Sequence, residues 1–463
     1  MTTNQGILVS TLEMLKGCAD LTHQHFPLQQ FDLVYFDYFV GTDILDREII
    51  APLTAKEPNH VALLSRSFFK PKLDVSEIVD GILSGKIAVF YNNRAYLYDA
   101  YAPEIRSIQN SETESVINGP MDSFNESLAT NLSLIRRRIK NPSLKVVNFT
   151  IGTKTKTPFA LLYMEGIADA SQLQQLSDMI DNLDIPAVYD TNTLVQYLGI
   201  NKFTIFPQIL TTVRPDLISD KLINGKLVGL LDGSPVAFSA PTGFIEFFSS
   251  PDDYYLSWAT ASLIRLLRLL ALFITLCFTA FYVSLVTYHY EMIPATLILN
   301  LMESRDKVPF SPLFEALLME LTIEFLREAG ARLPSKIGST IGTVGGIVIG
   351  QAAVQAGVTS NILIISVAIS AIASFVIPSY IMSSSIRFMR FSIIIMAGLL
   401  GNFGIMIAIG FICIQLSGYQ TLGHPFLLPF SPTKPYRMLD QVIRIPVYLL
   451  QRLNKKKPSN SNE

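Results

Sequence analysis

The sequence predicts an α/β N-terminal region of two small units followed by an α-helical, multi-span transmembrane domain. Two observations carry that reading. From Ile337 to Ile386 there is no Lys, Arg, Asp or Glu, and each charge at a bilayer centre costs roughly 2.5–3.5 kcal/mol on insertion scales, so the run suits lipid. Between Phe31 and about Ala240, by contrast, short apolar runs alternate with amphipathic stretches, as in an α/β protein. Composition agrees with a chain of two kinds of domain. Hydrophobic residues make up 49 % and charged residues 16 %, low for a soluble protein and high for an embedded one.

Taken in order, residues 1–30 read as a polar, poorly ordered leader without a basic, apolar signal pattern. Strands are expected at Phe31–Phe39, Lys86–Tyr91, Ala95–Asp99, Leu144–Thr150, Phe159–Met164, Thr204–Leu210 and Leu227–Leu231. Helices are expected at Asp74–Leu83, Asp122–Ile139, Ser171–Leu183 and Thr191–Tyr197, where apolar residues recur at three and four behind Asp, Ser or Thr. Asn92-Asn93 between two strand runs marks a hairpin turn, because Asn tolerates left-handed backbone angles. The polar stretch Tyr101–Gly119 divides a first unit, 31–110, from a second, 111–245.

The transmembrane domain is expected at 246–433. Leu269–Val286 is uncharged and just long enough to cross, and Arg265 and Arg268 at its start place the N-terminal region in the cytosol. An amphipathic helix at 312–330 follows, then spans at Ile337–Gly357, Asn361–Met382 and Phe391–Gln415. Four crossings return a basic tail, 434–463, to the cytosol, where Lys434, Arg437, Arg444, Arg452 and Lys455 to Lys457 belong. Arg387 and Arg390 then fall in an outside loop, against that rule. Either the loop is an exception or one apolar segment is re-entrant, the glycine-rich one being the suspect.

Two blocks of sequence resemble the A subunit of GerA-type spore germination receptors. The first runs Gly119-Pro120, Phe124, Glu126, Asn131-Leu132 and Ile135-Arg136-Arg137-Arg138-Ile139-Lys140. The second runs from Tyr290 to Pro294 through Val308-Pro309-Phe310, Glu315 to Glu320, Leu326 to Gly330, Arg332-Leu333-Pro334 and Ile349 to Ala353 to Ala373-Ser374-Phe375. Met121-Asp122-Ser123 departs from the charged-plus-glycine filling usual after Gly-Pro. The resemblance implies a multi-pass protein of the spore inner membrane that works with a transporter-like B subunit and a lipoprotein C subunit. It also implies a homo-oligomer forming a gated ion channel, the B subunit sensing the nutrient. A family relative that amplifies germination, or a non-conducting scaffold, are the alternatives.

Candidate residues follow from spacing. Gly338, Gly342, Gly346 and Gly350 lie four apart on one helix face and permit close helix contact. Opposite them, Thr340, Val344, Ile347, Gln351 and Gln355 form a stripe with polar ends and an apolar middle, suited either to core packing or to lining a pore that gates by dewetting. Glu320 and Glu324 share a face with Arg327; they are a solvated helix face or, around an axis, an acidic vestibule. Arg136, Arg137 and Arg138 end a helix favourably for its dipole. Pointing in different directions, at least one should meet a partner, for which Glu126 of a neighbouring copy is preferred and anionic membrane lipid comes second. Val442, Ile443 and Arg444 lie in a stretch suited to a membrane surface, interrupted by Pro446. His23 and His25 lack a supporting carboxylate. No catalytic, cofactor or metal pattern is expected, and a net charge of −2 argues against nucleic acid.

Overall fold

The computed structural model describes residues 6–55, 60–102, 114, 116, 118–199, 204–334, 345–346, 348–428, 442–444 and 446. The chain forms two compact units, the first running essentially to Thr242 and the second from Gly243 onward.

The first unit holds two five-stranded antiparallel sheets. In one, β1 (Leu21–Phe26), β2 (Phe31–Phe36), β3 (Phe69–Lys72), β4 (Lys86–Tyr91) and β5 (Arg94–Asp99) lie in the order β1-β2-β4-β5-β3. Val34, Phe36, Ala88 and Phe90 meet α1 (Gly6–Met14) and α2 (Val75–Leu83) on one face, while Leu33, Tyr35, Ile87 and Val89 fill a second core on the other. Burial on both faces is why Ile87–Phe90 reads as an unbroken apolar run. The β4–β5 hairpin turns at Asn92 and Asn93, at φ 49° and 58°.

The second sheet contains β6 (Leu144–Ile151), β7 (Thr157–Met164), β8 (Leu210–Thr212), β9 (Leu227–Leu231) and β10 (Ala237–Ala240), ordered β6-β7-β9-β10-β8. Helices α3 (Leu128–Arg138) and α6 (Pro215–Ile223) cover one face through Leu132, Ile135, Ile218 and Leu222. The other face is covered by α4 (Ala170–Asp181) and α5 (Thr191–Leu198), through Leu176, Ile180, Leu194 and Leu198.

Several expectations need correction here. The supposed leader is ordered from residue 6: it supplies α1 and β1, and His23 and His25 both lie against Asp32 Oδ1, at 2.9 and 2.7 Å. The strand expected over 204–210 is confined to Leu210–Thr212, because Pro207 has no N–H for a ladder. Helix α3 begins only at Leu128, where Ser127 Oγ accepts from Thr130 N, and Asp122 instead bonds Arg138. The two sheets have separate cores and fall within one contact unit.

In the second unit, α7 (Trp258–Tyr288), α8 (Ala295–Arg305), α9 (Pro312–Arg332) and α10 (Asn361–Phe375) are followed by a 39-residue helical run, α11 (Tyr380–Gly418). Helices α7 and α11 are long and apolar enough to cross a membrane. A straight α11 would measure about 58 Å, far beyond a bilayer core of ~30 Å. It is not straight. Gly401 has φ 64° and ψ −146°, and a Cβ on Gly404 would strike the Met396 carbonyl, although residues eight apart in a helix are separated by ~12 Å along its axis.

Local contacts give the direction of each arm. Around Gly401, the Tyr288 hydroxyl donates to the carbonyls of Gly398 and Leu399, and Ser284 donates to Asn402 Oδ1 at 2.7 Å, so the break sits at the C-terminal end of α7. Beyond Gly418, Phe426 N bonds Tyr419 O and Phe244 N bonds Phe426 O, while Arg268 of α7 holds Phe248 O. The second arm therefore ends at the N-terminal end of α7. Arms 380–400 and 402–418 form an antiparallel hairpin, which corrects the single crossing expected over Phe391–Gln415. Arg387 and Arg390 lie within the first arm, not in a loop.

Candidate functional site

Charge gathers where the sequence gives least reason to expect it. On α9, Glu320 is fully buried and meets Arg390 of α11, also fully buried, at 2.6 Å, while the Thr279 hydroxyl of α7 donates to it at 2.9 Å. The Arg390 contact is electrostatic, not a well-aligned hydrogen bond. One turn on, Glu324 Oε1 is shared by Arg387 at 3.2 Å, Arg390 at 3.3 Å and Arg327 at 3.8 Å. Serines complete the shell: Arg390 donates to Ser370 Oγ, Arg327 to Ser374 Oγ, and Arg387 to the hydroxyls of Ser383 and Ser384. Four helices are tied in one layer, and the pairing is what permits burial, because an isolated ion there would cost several kcal/mol.

A second buried carboxylate lies nearer the N-terminus of α9. Glu315 Oε2 pairs with Arg305 at 2.7 Å, and Oε1 accepts from Thr359 Oγ1 at 3.0 Å and Ser360 N at 2.6 Å. Next to Ser360, the Tyr282 hydroxyl is 2.9 Å from its Oγ. This group holds the starts of α9 and α10 against α7.

The first unit has its own buried pair. Arg136 meets Asp20 through Nε at 3.0 Å and Nη2 at 2.9 Å, stacks over Phe36 at 4.7 Å, and shares Asp20 with the Tyr38 hydroxyl. Burial alone would lower the guanidinium pKa, but Asp20 and Tyr38 beside it raise it above the usual value. For the Tyr38 phenol, burial and then the Asp20 charge push the pKa well up. Burial also raises the Cys18 thiol.

The residues expected from sequence fall out as follows. Gly338, Thr340, Gly342, Val344 and Ile347 lie outside the described residues. Gln351 and Gln355 are exposed on the helical stretch 348–355. At Gly346 and Gly350 an added Cβ would meet nothing within 4 Å among the described residues. Glu320 and Glu324 face arginines of their own unit, so the solvated face suggested for them is an interior one. Arg136 and Arg138 are held within the chain by Asp20 and Asp122, leaving Arg137 exposed; Glu126 is exposed and its backbone carbonyl accepts from Gly233 N. Arg444, expected at a membrane surface, is buried: its guanidinium bonds the Asp253 carbonyl and stacks over Tyr254.

Arg387 and Arg390 were visible in the sequence only as a topological misfit. That misfit was the signal: arginines inside an apolar stretch require a carboxylate nearby, and α9 carries the candidates.

Over residues 10–456 the chain matches the family described as Bacillus/Clostridium GerA spore germination protein. It is 39% identical to the spore germination protein GerQA of Bacillus cereus, across 96% of this chain and 91% of that protein. It is likewise 39% identical to spore germination protein A1 of Bacillus subtilis (strain 168), across 98% and 96%. Among solved structures, the N-terminal domain of the A subunit of the Bacillus megaterium spore germinant receptor GerK3 is 22% identical, covering 51% of this chain and 94% of that one at a TM-score of 0.39.

Proposed function

The chain belongs to the GerA family of spore germination proteins, and on that premise we propose that it is the membrane subunit of a nutrient-responsive receptor whose copies assemble into a gated cation channel. A transporter-like partner would sense the nutrient and bias the closed and open states through differential contacts, with a lipoprotein completing the complex in the spore inner membrane.

The observation that carries this reading is the open face of the glycine-rich helix. Among the described residues nothing lies within 4 Å of a Cβ placed on Gly346 or Gly350, and Gln351 and Gln355 are exposed. Half-buried glycines without a close neighbour cost helix stability and gain nothing unless another backbone approaches them. A second copy supplies one, and a ring of copies turns the glutamines toward a wet axis.

Helix direction supports a membrane reading with more crossings than hydropathy suggests. Helix α9 starts with Leu313 against Gly398, passes Thr279 at Glu320, and reaches Ser374 at Arg327, so it runs antiparallel to α7. Helix α10 runs the same way, from Tyr282 at Ser360 to Thr275 at Ser370. Gly357, which follows the described helical stretch 348–355, lies against Lys307. Together with the α11 hairpin and the crossing expected at Ile337–Gly357, this reading has six crossings, leaves both termini in the cytosol, and removes Arg387 and Arg390 from the outer side.

Ion flux into liposomes containing the protein, alone and with both partners, tests the channel. Val344→Ala and Ile347→Ala should raise basal flux by widening an apolar constriction. Silence from verified oligomers, with partners and nutrient present, would leave a scaffold.

A further inference from the structure

The charged layer is not neutral. Among the described residues it holds three arginines, Arg327, Arg387 and Arg390, against two carboxylates, Glu320 and Glu324. Glu320 is committed to Arg390 and Thr279. Arg327 and Arg387 must therefore draw on Glu324, a single oxygen of which already serves Arg390. Arg327 is worst served, at 3.8 Å, and its Nε has no acceptor among the described residues. Ser374, Ser383 and Ser384 orient the two guanidinium groups but bring no charge.

This side of the layer is also its open side. Glu324 and Arg327 retain 25% and 13% exposure, while Glu320 and Arg390 retain none. Arg327 is about a turn and a half from the end of α9 and Arg387 about two turns from the start of α11, within the reach of a long basic side chain to a membrane surface. The Phe375 ring lies 4.5 Å from Arg327 and the Tyr380 ring 6.0 Å from Arg387, and both rings are mostly exposed. Exposed aromatic rings beside arginines at helix ends are what an interfacial belt contains. By the helix directions above, this end faces the cytosol.

We propose that Arg327 and Arg387 bind the phosphate of an anionic phospholipid in the cytosolic leaflet, the lipid's single negative charge cancelling the excess positive one. The site rests on the membrane reading of the second unit. Zwitterionic lipids present a phosphate too, but their own ammonium cancels it, so the layer selects by net charge. Bound lipid becomes a fifth strut at the α9–α10–α11 end, and anionic lipid content adjusts how tightly those helices are held.

The full-length protein, stripped of lipid in an uncharged detergent, is titrated with phosphatidylglycerol, phosphatidylcholine or inorganic phosphate and followed by native mass spectrometry and thermal unfolding. Phosphatidylglycerol should bind and raise the midpoint, phosphatidylcholine should do neither, and Arg327→Gln should weaken phosphatidylglycerol binding about fivefold, the share of one basic side chain near an anionic surface. Arg332→Gln, at an exposed pair with Glu328, should leave binding unchanged. Arg327→Lys, which keeps the charge, should bind and supplies a folded comparison if Arg327→Gln does not fold. Equal binding of the two lipids, or full binding by Arg327→Gln, overturns the site; competition by inorganic phosphate reassigns it to a free anion and overturns the lipid. Failure to float with vesicles of either lipid refutes the membrane reading itself, whereas flotation without preference refutes only the site.

Discussion

Replacing Glu320 by Ala isolates the energetic weight of the charged layer. Breaking one partner of a buried ion pair costs about 3–5 kcal/mol because the other charge is left behind. Here Arg390 would keep Glu324 at 3.3 Å and Ser370 at 3.0 Å, so the expected loss lies at the lower end, about 3 kcal/mol. Thr279 loses its acceptor but can turn to the carbonyl one turn back in its helix, adding little. Neutral hydrogen bonds between membrane helices average ~0.6 kcal/mol, so the two kinds of contact are separable. Reversible unfolding of the whole chain in mixed micelles gives the loss, and a cycle with Arg390→Ala gives the coupling. A loss below ~1 kcal/mol, or strictly additive single changes, would mean that the layer is ordinary polar packing.

Two further outcomes follow from geometry. Gly404→Leu must push apart the two arms of α11, since even a Cβ strikes the Met396 carbonyl; the variant should fail to accumulate as a folded protein, and normal yield with unchanged unfolding would contradict the hairpin. Tyr38 sets an alkaline limit on the first unit. Its phenol is raised in the folded state by burial and by Asp20, so that contribution is fully present below about pH 10 and lost as pH rises from there toward the folded value. Tyr38→Phe should flatten the fall in unfolding midpoint above pH 10; an unchanged slope counts against the assignment.

How far the sequence could be read depended on where each residue finds its partner. Lys86–Tyr91 and Leu227–Leu231 were legible to the residue because both faces of each strand are buried, and Asn92-Asn93 because the turn is local. Strand β1 was missed because its partly exposed His and Gln residues resemble a leader. Helix α9 was legible as a helix and misleading as to its surroundings. Its glutamates suggested solvent because Arg390 and Arg387 stand more than sixty residues away in sequence, and no local pattern announces them. The reversal at Gly401 hid for the opposite reason: its capping groups, Tyr288 and Ser284, come from another helix, and Gly401-Asn402 is the one local mark in a run otherwise apolar on either side.

A hairpin that turns on one glycine bears on how the proposed membrane domain would insert. On the proposed membrane reading, arms 380–400 and 402–418 are joined by Gly401 and Asn402 alone, so little polar chain has to cross and the arms are expected to insert as a pair. On that reading the far side of the membrane receives little chain from this part of the molecule, and a protease or a bulky label applied there should find little at Gly401 to grip.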